Sequence, residues 1–269
     1  MIRALFFDLD GTLLTSDKRI DPATGEALRQ CRQNGIKVMV ATGRSPLLAP
    51  ALGLTAGEEE LLADGGVFYN GGCIIGAGQK RYSTMSARVA RECCALFASY
   101  PEVNFSVQMV GDVHSFRHRI DGPAFAIWGV DRAAVLPLDA VRLDAVVKIM
   151  VFSPQSALAG LYAELGQRLD GEANIYQTCN ADFHAVEVVA SNVNKKLAVE
   201  RVAGLYGIGG DELAVFGDGG NDVDMLRGFR HSVAMGNADP EVKAVARFVT
   251  RSNDAGGIPH ALSNILGLL

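Results

Sequence analysis

The sequence predicts an α/β protein: a Rossmann-like, doubly wound parallel sheet with a smaller α+β domain inserted into it. Three observations carry this reading. Short apolar runs of strand length open the chain and recur towards its end, each closing on a polar, Gly-containing turn. Segments with helix-capping signals separate those runs, and strand–helix–strand alternation is the pattern that builds a parallel sheet. Between the two sets lies a stretch of different character, mixing helical segments with hairpin-like strands.

Taken in order, Ala4 to Leu9 is a compact apolar run without alternation, as expected of a strand buried on both faces. Asp21-Pro22 reads as an N-cap followed by Pro at the first helical position, and the helix should run to about Asn34, with Gly35 as its stop. Ile36 to Ala41 is a second strand ending at Thr42-Gly43-Arg44, and Val67 to Tyr69 a third, followed by Asn70-Gly71-Gly72. Within residues 83–184, Ala87–Ser99 reads as a helix, and Val103–Val110, Val113–Phe116, Val147–Phe152 and Leu158–Leu169 follow as a mixed α+β block with hairpin-like pieces. The regular pattern then resumes. Ala185–Ala190 is read as a core strand, Lys195–Tyr206 as a helix, and Leu213–Phe216 as a strand before the turn Gly217–Asp222. Val233–Met235 and Phe248–Thr250 follow as strands, Asp239-Pro240 opens a helix, and Ile258–Leu266 closes the chain as another. The expected organisation is a core of residues 1–82 and 185–269 with an inserted domain at 83–184.

Composition bounds the function. Of 269 residues, 49% are hydrophobic and 20% charged, an ordinary globular balance that excludes disorder. The net charge is −5, whereas chains that neutralise many nucleic-acid phosphates usually carry a basic surplus, so no nucleic-acid partner is expected. The five cysteines are odd in number and form no C-x-x-C, which argues for reduced thiols and a cytoplasmic location. The N-terminal apolar run reaches Asp8 too soon for a signal peptide, and no run of about 18 apolar residues offers a membrane span, so no membrane partner is expected either.

Four polar clusters fall at ends of the predicted core strands or at a helix start: Asp8/Asp10, Thr42, Lys195 and Asp218/Asn221/Asp222. Ligands of open α/β sheets bind outside the carboxyl ends of the strands, so these groups should meet in one crevice. Carboxylates crowded there repel one another, and a hard divalent cation relieves the repulsion. A few carboxylates completed by water and phosphate oxygens is a Mg²⁺ kind of site. A lysine beside it suits a phosphate dianion. In that setting Asp8 can act as nucleophile, forming an aspartyl-phosphate, and Asp10 can protonate the leaving oxygen and later deprotonate water. Asp218 completes the metal shell, and Thr42 and Lys195 bind phosphoryl oxygens.

These residues also form a family signature. Asp8-Leu9-Asp10-Gly11-Thr12 resembles the D-x-D-G-T motif of the haloacid dehalogenase superfamily. Thr42 within Ala41-Thr42-Gly43-Arg44, Lys195 within Val193-Asn194-Lys195-Lys196, and Gly217 to Asp222 are similar to that superfamily's second, third and fourth motifs. Ala234-Met235-Gly236-Asn237-Ala238, Val242-Lys243 and the Asn253-Asp254…Gly257-Ile258 segment further resemble Cof-type phosphatases, whose cap of type C2B is inserted between the second and third motifs. The resemblance implies Mg²⁺-dependent hydrolysis of phosphate monoesters, sugar phosphates foremost, with nucleotides or pyridoxal phosphate next. It implies Asp8 as nucleophile and Asp10 as acid/base. It places the metal on Asp8, the backbone carbonyl of Asp10, and Asp218. Thr42, Gly43, Lys195 and Asn221 become the phosphate-binding set, with Asn221 and Asp222 supporting the metal or orienting the lysine, and Arg44 at the site mouth or on substrate. Lys196 stands where the family commonly has Gly. The expected partner is a small phosphorylated metabolite, and the expected assembly a monomer or small homo-oligomer.

Other patterns lead nowhere. His114 and His118 are four apart, but no Glu follows the first and the segment is not helical in pattern, so this is not a zinc motif. Gly71 to Gly78 is Gly-rich but lacks the G-K-[ST] of a phosphate loop. Cys93-Cys94 reads as packing, and Phe125 and Trp128 as insert core or substrate lid. Two other classes are compatible with the signature: a phosphotransferase that delivers the phosphoryl group to a second sugar hydroxyl, and a non-enzymatic phosphometabolite sensor. The complete Asp8, Asp10, Lys195, Asp218 set argues against the sensor.

Overall fold

A computed structural model describes residues 1–120, 122, 125, 130–152, 155–179 and 184–269. Trp128 lies outside the described residues. The chain divides into two compact units, one of residues 1–43, 52–81 and 194–269, the other of residues 44–51 and 82–193.

The strands, in chain order, are β1 (Ala4–Phe7), β2 (Lys37–Ala41), β3 (Gly66–Phe68), β4 (Cys73–Gly76), β5 (Gln79–Tyr82), β6 (Asn104–Met109), β7 (Val113–Phe116), β8 (Val135–Leu136), β9 (Val146–Phe152), β10 (Ala173–Cys179), β11 (His184–Ala190), β12 (Leu213–Gly217), β13 (His231–Ala234) and β14 (Phe248–Val249). The first unit is built on an eight-stranded sheet of order β14-β13-β12-β1-β2-β3-β4-β5. Pairing is parallel from β14 through to β3 and antiparallel between β3 and β4. β1 sits between an early strand and a late one, the switch in strand order at which open α/β sheets form their crevice. The register is tight there: Phe7 lies opposite both Val40 and Phe216, and the Phe7 and Phe216 rings stack with centroids 4.6 Å apart. The chain therefore leaves β12, β1 and β2 at one level. Phe6, Met39, Val215 and Phe216 are fully buried, each such side chain contributing roughly 1.5–3 kcal/mol.

The helix Lys195–Leu205 covers this sheet with a stripe of buried residues at Ala198, Val199, Val202 and Ala203. Lys195, three residues ahead of Ala198, lies on the same stripe and is buried with it. The N-cap Asn194 accepts a hydrogen bond from the Leu197 amide, which starts the helix at this point and no later. Asp21 caps Pro22–Gln33 in the same way, accepting from the Thr24 amide.

The second unit holds a six-stranded sheet of order β10-β11-β9-β6-β7-β8, antiparallel except between β7 and β8. Val89, Cys93, Leu96 and Phe97 from the helix Ala87–Ala98, and Leu158, Leu161 and Leu165 from Gln155–Leu169, share a core with Val107, Ile149, Val151, Val186 and Val188 of the sheet. One expectation is corrected. The run 185–190, read as a core strand, is β11 of this second sheet, paired antiparallel with β9 and β10. The border accordingly falls at 193/194 and not at 184/185. An apolar run reports burial but not the sheet that supplies it, and the strand that reveals its partner, β10, carries no clear alternation. The closing helix is also shorter: Gly257–His260 is α-helical and 261–265 is a wider π-type turn. The Gly-rich 71–78 stretch contains β4 and leads through a tight turn into β5.

Candidate active site

Three neighbouring strands each end on a predicted site residue. Asp8 follows β1, Thr42 follows β2 and Asp218 follows β12. The helix that starts at Lys195 brings its first side chain to the same place. Lys195 Nζ donates to Asp8 Oδ1 at 2.6 Å and to Asp222 Oδ1 at 2.7 Å, and Lys195 and Asp222 are wholly buried. Lys196 instead pairs with Glu200 one turn on, at the surface.

Asp222 has a second task. Its Oδ2 accepts the backbone N–H groups of Asp218 and Gly219, closing the Gly217–Asp222 turn and aiming Asp218. Gly217 makes this possible, because a Cβ there would lie 2.5 Å from Asp222 Cγ. Asp218 Oδ1 accepts from Thr12 Oγ1 at 2.7 Å, and its Oδ2 lies 3.4 Å from Asn237 Nδ2. Gly11 passes so close to this carboxylate that any side chain would collide with it.

Carboxylate oxygens of Asp8, Asp218 and Asp222 all lie within 4.8 Å of one another. Burial pushes Asp8 well above the ordinary carboxylate value; the Lys195 ammonium opposes this, and Asp222 and Asp218 add to it. Burial likewise raises Asp218 to about 6, against the Thr12 hydrogen bond and with the help of Asp222. Burial alone would lower Lys195, but the Asp222 and Asp8 carboxylates outweigh it and hold the ammonium charged above the usual lysine value. One ammonium thus faces three carboxylates, and the surplus negative charge fits a hard divalent cation. With both Asp222 oxygens engaged by Lys195 and the turn amides, Asp8 and Asp218 form the natural carboxylate pair for that ion.

The remaining predicted residues are placed as follows. Thr42 is buried, its amide bonded to the Val67 carbonyl and its carbonyl accepting from the Asn70 amide. Gly43 lies against the Asn70 carboxamide. Asn221 Nδ2 donates to Asn70 Oδ1 at 2.9 Å. Asp10 is partly exposed and its Oδ1 accepts from Lys18 Nζ at 2.8 Å. Arg44 falls in residues 44–51, which belong to the second unit. His114 is buried on β7 and His118 lies exposed beyond it; burial lowers His114 to about 4. Cys93 and Cys94 are buried or half-buried thiols raised to about 12 and about 11, far from nucleophilic at neutral pH.

Sequence reasoning left several site residues without a task. Thr12 and Asn237 hold Asp218, and Asn237 Nδ2 also donates to the Gly11 carbonyl at 2.8 Å. Asn253 Nδ2 donates to the Leu14 carbonyl, and Asp254 accepts from both the amide and the hydroxyl of Ser16. Two late loops thereby tie down the segment that follows Asp8. Their signal was present in the quoted signatures around Asn237 and Asn253, but no spacing rule ties residues more than 220 positions apart.

The sequence profile of the haloacid dehalogenase-like hydrolases matches residues 5–262. The chain is 28% identical over 270 residues to the chloroplastic endoribonuclease YBEY of Arabidopsis thaliana, covering 96% of this chain but only 45% of the plant protein, so it spans less than half the length of that relative. It is 25% identical to the 5-amino-6-(5-phospho-D-ribitylamino)uracil phosphatase YitU of Bacillus subtilis, over 97% of this chain and 96% of the relative. Among solved structures, the HAD subclass IIB sugar phosphatase BT4131 superposes with a TM-score of 0.82 at 25% identity, over 99% of this chain and all of that one. A signature in four ordered pieces, a sheet that gathers them and a profile spanning nearly the whole chain lead to one statement: the chain belongs to the haloacid dehalogenase-like hydrolase family, in its Cof-type phosphatase branch.

Proposed function

We propose that the protein is a Mg²⁺-dependent phosphatase that hydrolyses small phosphate monoesters, sugar phosphates foremost, through an aspartyl-phosphate on Asp8. The observation that carries this is the buried Lys195 ammonium held at 2.6 Å from Asp8 and 2.7 Å from Asp222, beside Asp218. An Asp8 oxygen attacks phosphorus and the ester P–O bond breaks, Asp10 giving a proton to the departing oxygen. Water then attacks the same phosphorus, Asp10 takes its proton, and the bond to Asp8 is released. Lys195, Thr42, Gly43 and Asn221 bind the transferring oxygens, where positioning and charge lower the barrier. Mg²⁺, held by Asp8, Asp218 and the Asp10 carbonyl, would supply the positive charge that lets a phosphate dianion approach clustered carboxylates.

Every residue assigned to the phosphoryl group lies in the first unit. We infer that the second unit, acting as the cap domain, selects the leaving group, with Arg44 on its side of the division. The similarity to a sugar phosphatase and to a phosphoribitylamino-uracil phosphatase supports a phosphorylated polyol or sugar as substrate. We also infer a cytoplasmic location, in keeping with free thiols at Cys31, Cys93 and Cys94. Among the described residues no helix is long and apolar enough to cross a membrane.

The test is a phosphate-release screen over sugar phosphates, nucleotides and pyridoxal phosphate, with and without Mg²⁺. Release that requires Mg²⁺, stops on chelation and is strongest with sugar phosphates supports the reading. Full activity in excess chelator contradicts the metal assignment, and transfer to a second sugar without free phosphate contradicts hydrolysis.

A further inference from the structure

Immediately beyond β3, the residues Tyr69, Asn70 and Gly71 take φ values of 52°, 56° and 109°. Three successive residues on the left-handed side are unusual, and the first two are not glycine. The turn is buried, Tyr69 completely and Asn70 to within 1%. It touches three segments that the phosphatase reading assigns to the phosphoryl group. The Asn70 amide donates to the Thr42 carbonyl at 3.0 Å, and a Cβ on Gly43 would stand 3.2 Å from Asn70 Oδ1. Asn70 Oδ1 accepts from Asn221 Nδ2 at 2.9 Å. A Cβ on Gly71 would come within 2.7 Å of the carbonyl oxygen of Asn194, the residue that caps the helix beginning at Lys195. One short turn therefore wedges among Thr42–Gly43, Asn194–Lys195 and Asn221, which arrive from three distant parts of the chain.

Asn tolerates the left-handed region better than most residues, but glycine would serve that conformation as well. What glycine cannot supply is the acceptor for Asn221. We propose that Asn70 is a positioning residue for phosphoryl transfer: its carboxamide fixes the Asn221 side chain, while its backbone fixes the Thr42–Gly43 loop, so that both present their donors to the phosphoryl oxygens together. Asn70 takes no part in bond making. This rests on the phosphatase reading above, and it gives the Asn70-Gly71 pair a task that the sequence alone left unassigned.

The test compares Asn70→Gly, Asn221→Ala and the double variant. Asn70→Gly keeps the backbone conformation and removes only the carboxamide, so the fold is retained. Three quantities are read: the Kd for orthovanadate in Mg²⁺, kcat and KM on p-nitrophenyl phosphate, and the Tm. The expected result for Asn70→Gly is a loss of about tenfold in both vanadate affinity and kcat/KM, the size of one lost oriented hydrogen bond. The double variant should be no worse than Asn221→Ala alone within about twofold, because the two residues act as one unit. Wild-type vanadate affinity in Asn70→Gly overturns the proposal, whether or not its Tm falls. Effects of the two single variants that multiply in the double variant overturn it as well. A wild-type protein that binds no vanadate contradicts the phosphatase reading itself, and the proposal with it.

Discussion

Lys195 shows how a single position on a helix decides the chemistry. Its placement on the buried stripe that continues through Ala198, Val199 and Val202 takes the ammonium out of water, and only two carboxylates make that tolerable. Lys196, one residue later, points to another face and pairs with Glu200. The D-x-D-G-T signature makes Asp8 and Asp10 legible from sequence, but it does not say what Thr12 does. The structure gives Thr12 the Asp218 carboxylate, at 2.7 Å. Partners of metal-binding carboxylates typically change metal affinity by ten- to a hundredfold when removed. Thr12→Val keeps shape and volume and loses that hydrogen bond. We expect the Mg²⁺ concentration giving half-maximal phosphate release to rise about tenfold, with activity at saturating Mg²⁺ close to wild type. An unchanged Mg²⁺ curve would separate Thr12 from the metal site.

At the scale of elements, the strands that end on candidate site residues were easier to read than the others. β1, β2 and β12 are apolar runs bounded by polar turns, and turn chemistry marks their ends. The β4–β5 turn gives no such mark. Its central residues are Ala77 and Gly78, at φ 49° and 72°, where Asn-Gly or Gly-Gly would advertise a tight hairpin. Tyr206 secures the unusual alanine, its hydroxyl accepting from the Ala77 amide at 2.7 Å. A tertiary contact across 129 residues thus replaces a local signal. In the second sheet, His114 sits buried on β7 and is lowered from 6.5 to about 4, burial being the main cause. In the unfolded chain the imidazole titrates near 6.5. Between those values the unfolded state takes up a proton that the folded state refuses, so acidification through this window favours unfolding. From pH 7 to pH 5 His114 should remove about 2 kcal/mol of stability. Urea unfolding followed by fluorescence of Trp128, the single tryptophan, checks this, since His114→Gln should flatten the pH dependence by that amount. Equal slopes in both proteins would show that His114 titrates alike in the two states.

At the scale of the whole molecule, fold class and a two-unit organisation were legible, and the border between the units was not. β11 misled because Val186, Val188 and Val189 satisfy a buried strand of either sheet, and only pairing with β9 and β10 decides. The division has a functional consequence. The groups proposed to handle the phosphoryl group lie in the first unit, so on that proposal changes in the second should sort substrates and leave the chemistry intact. Polar substitutions across residues 82–193 should alter relative kcat/KM among sugar phosphates while barely changing acetyl phosphate hydrolysis. Substitutions at Lys195 or Thr42 should depress every substrate. If second-unit variants lower all substrates by one common factor, acetyl phosphate included, that unit does not select the leaving group. The central claim, however, is covalent chemistry at Asp8, and Asp10→Asn offers the most direct view of it. With an activated aryl phosphate the leaving group needs no acid, so the phosphoryl group should still reach Asp8, whereas its removal by water loses the base. Mass spectrometry of acid-quenched Asp10→Asn, mixed with p-nitrophenyl phosphate and Mg²⁺, should find one added phosphoryl group in the peptide containing Asp8, and none when Asp8→Asn is added. Phosphate release without any phosphorylated protein, or a phosphoryl group on another residue, would contradict the account.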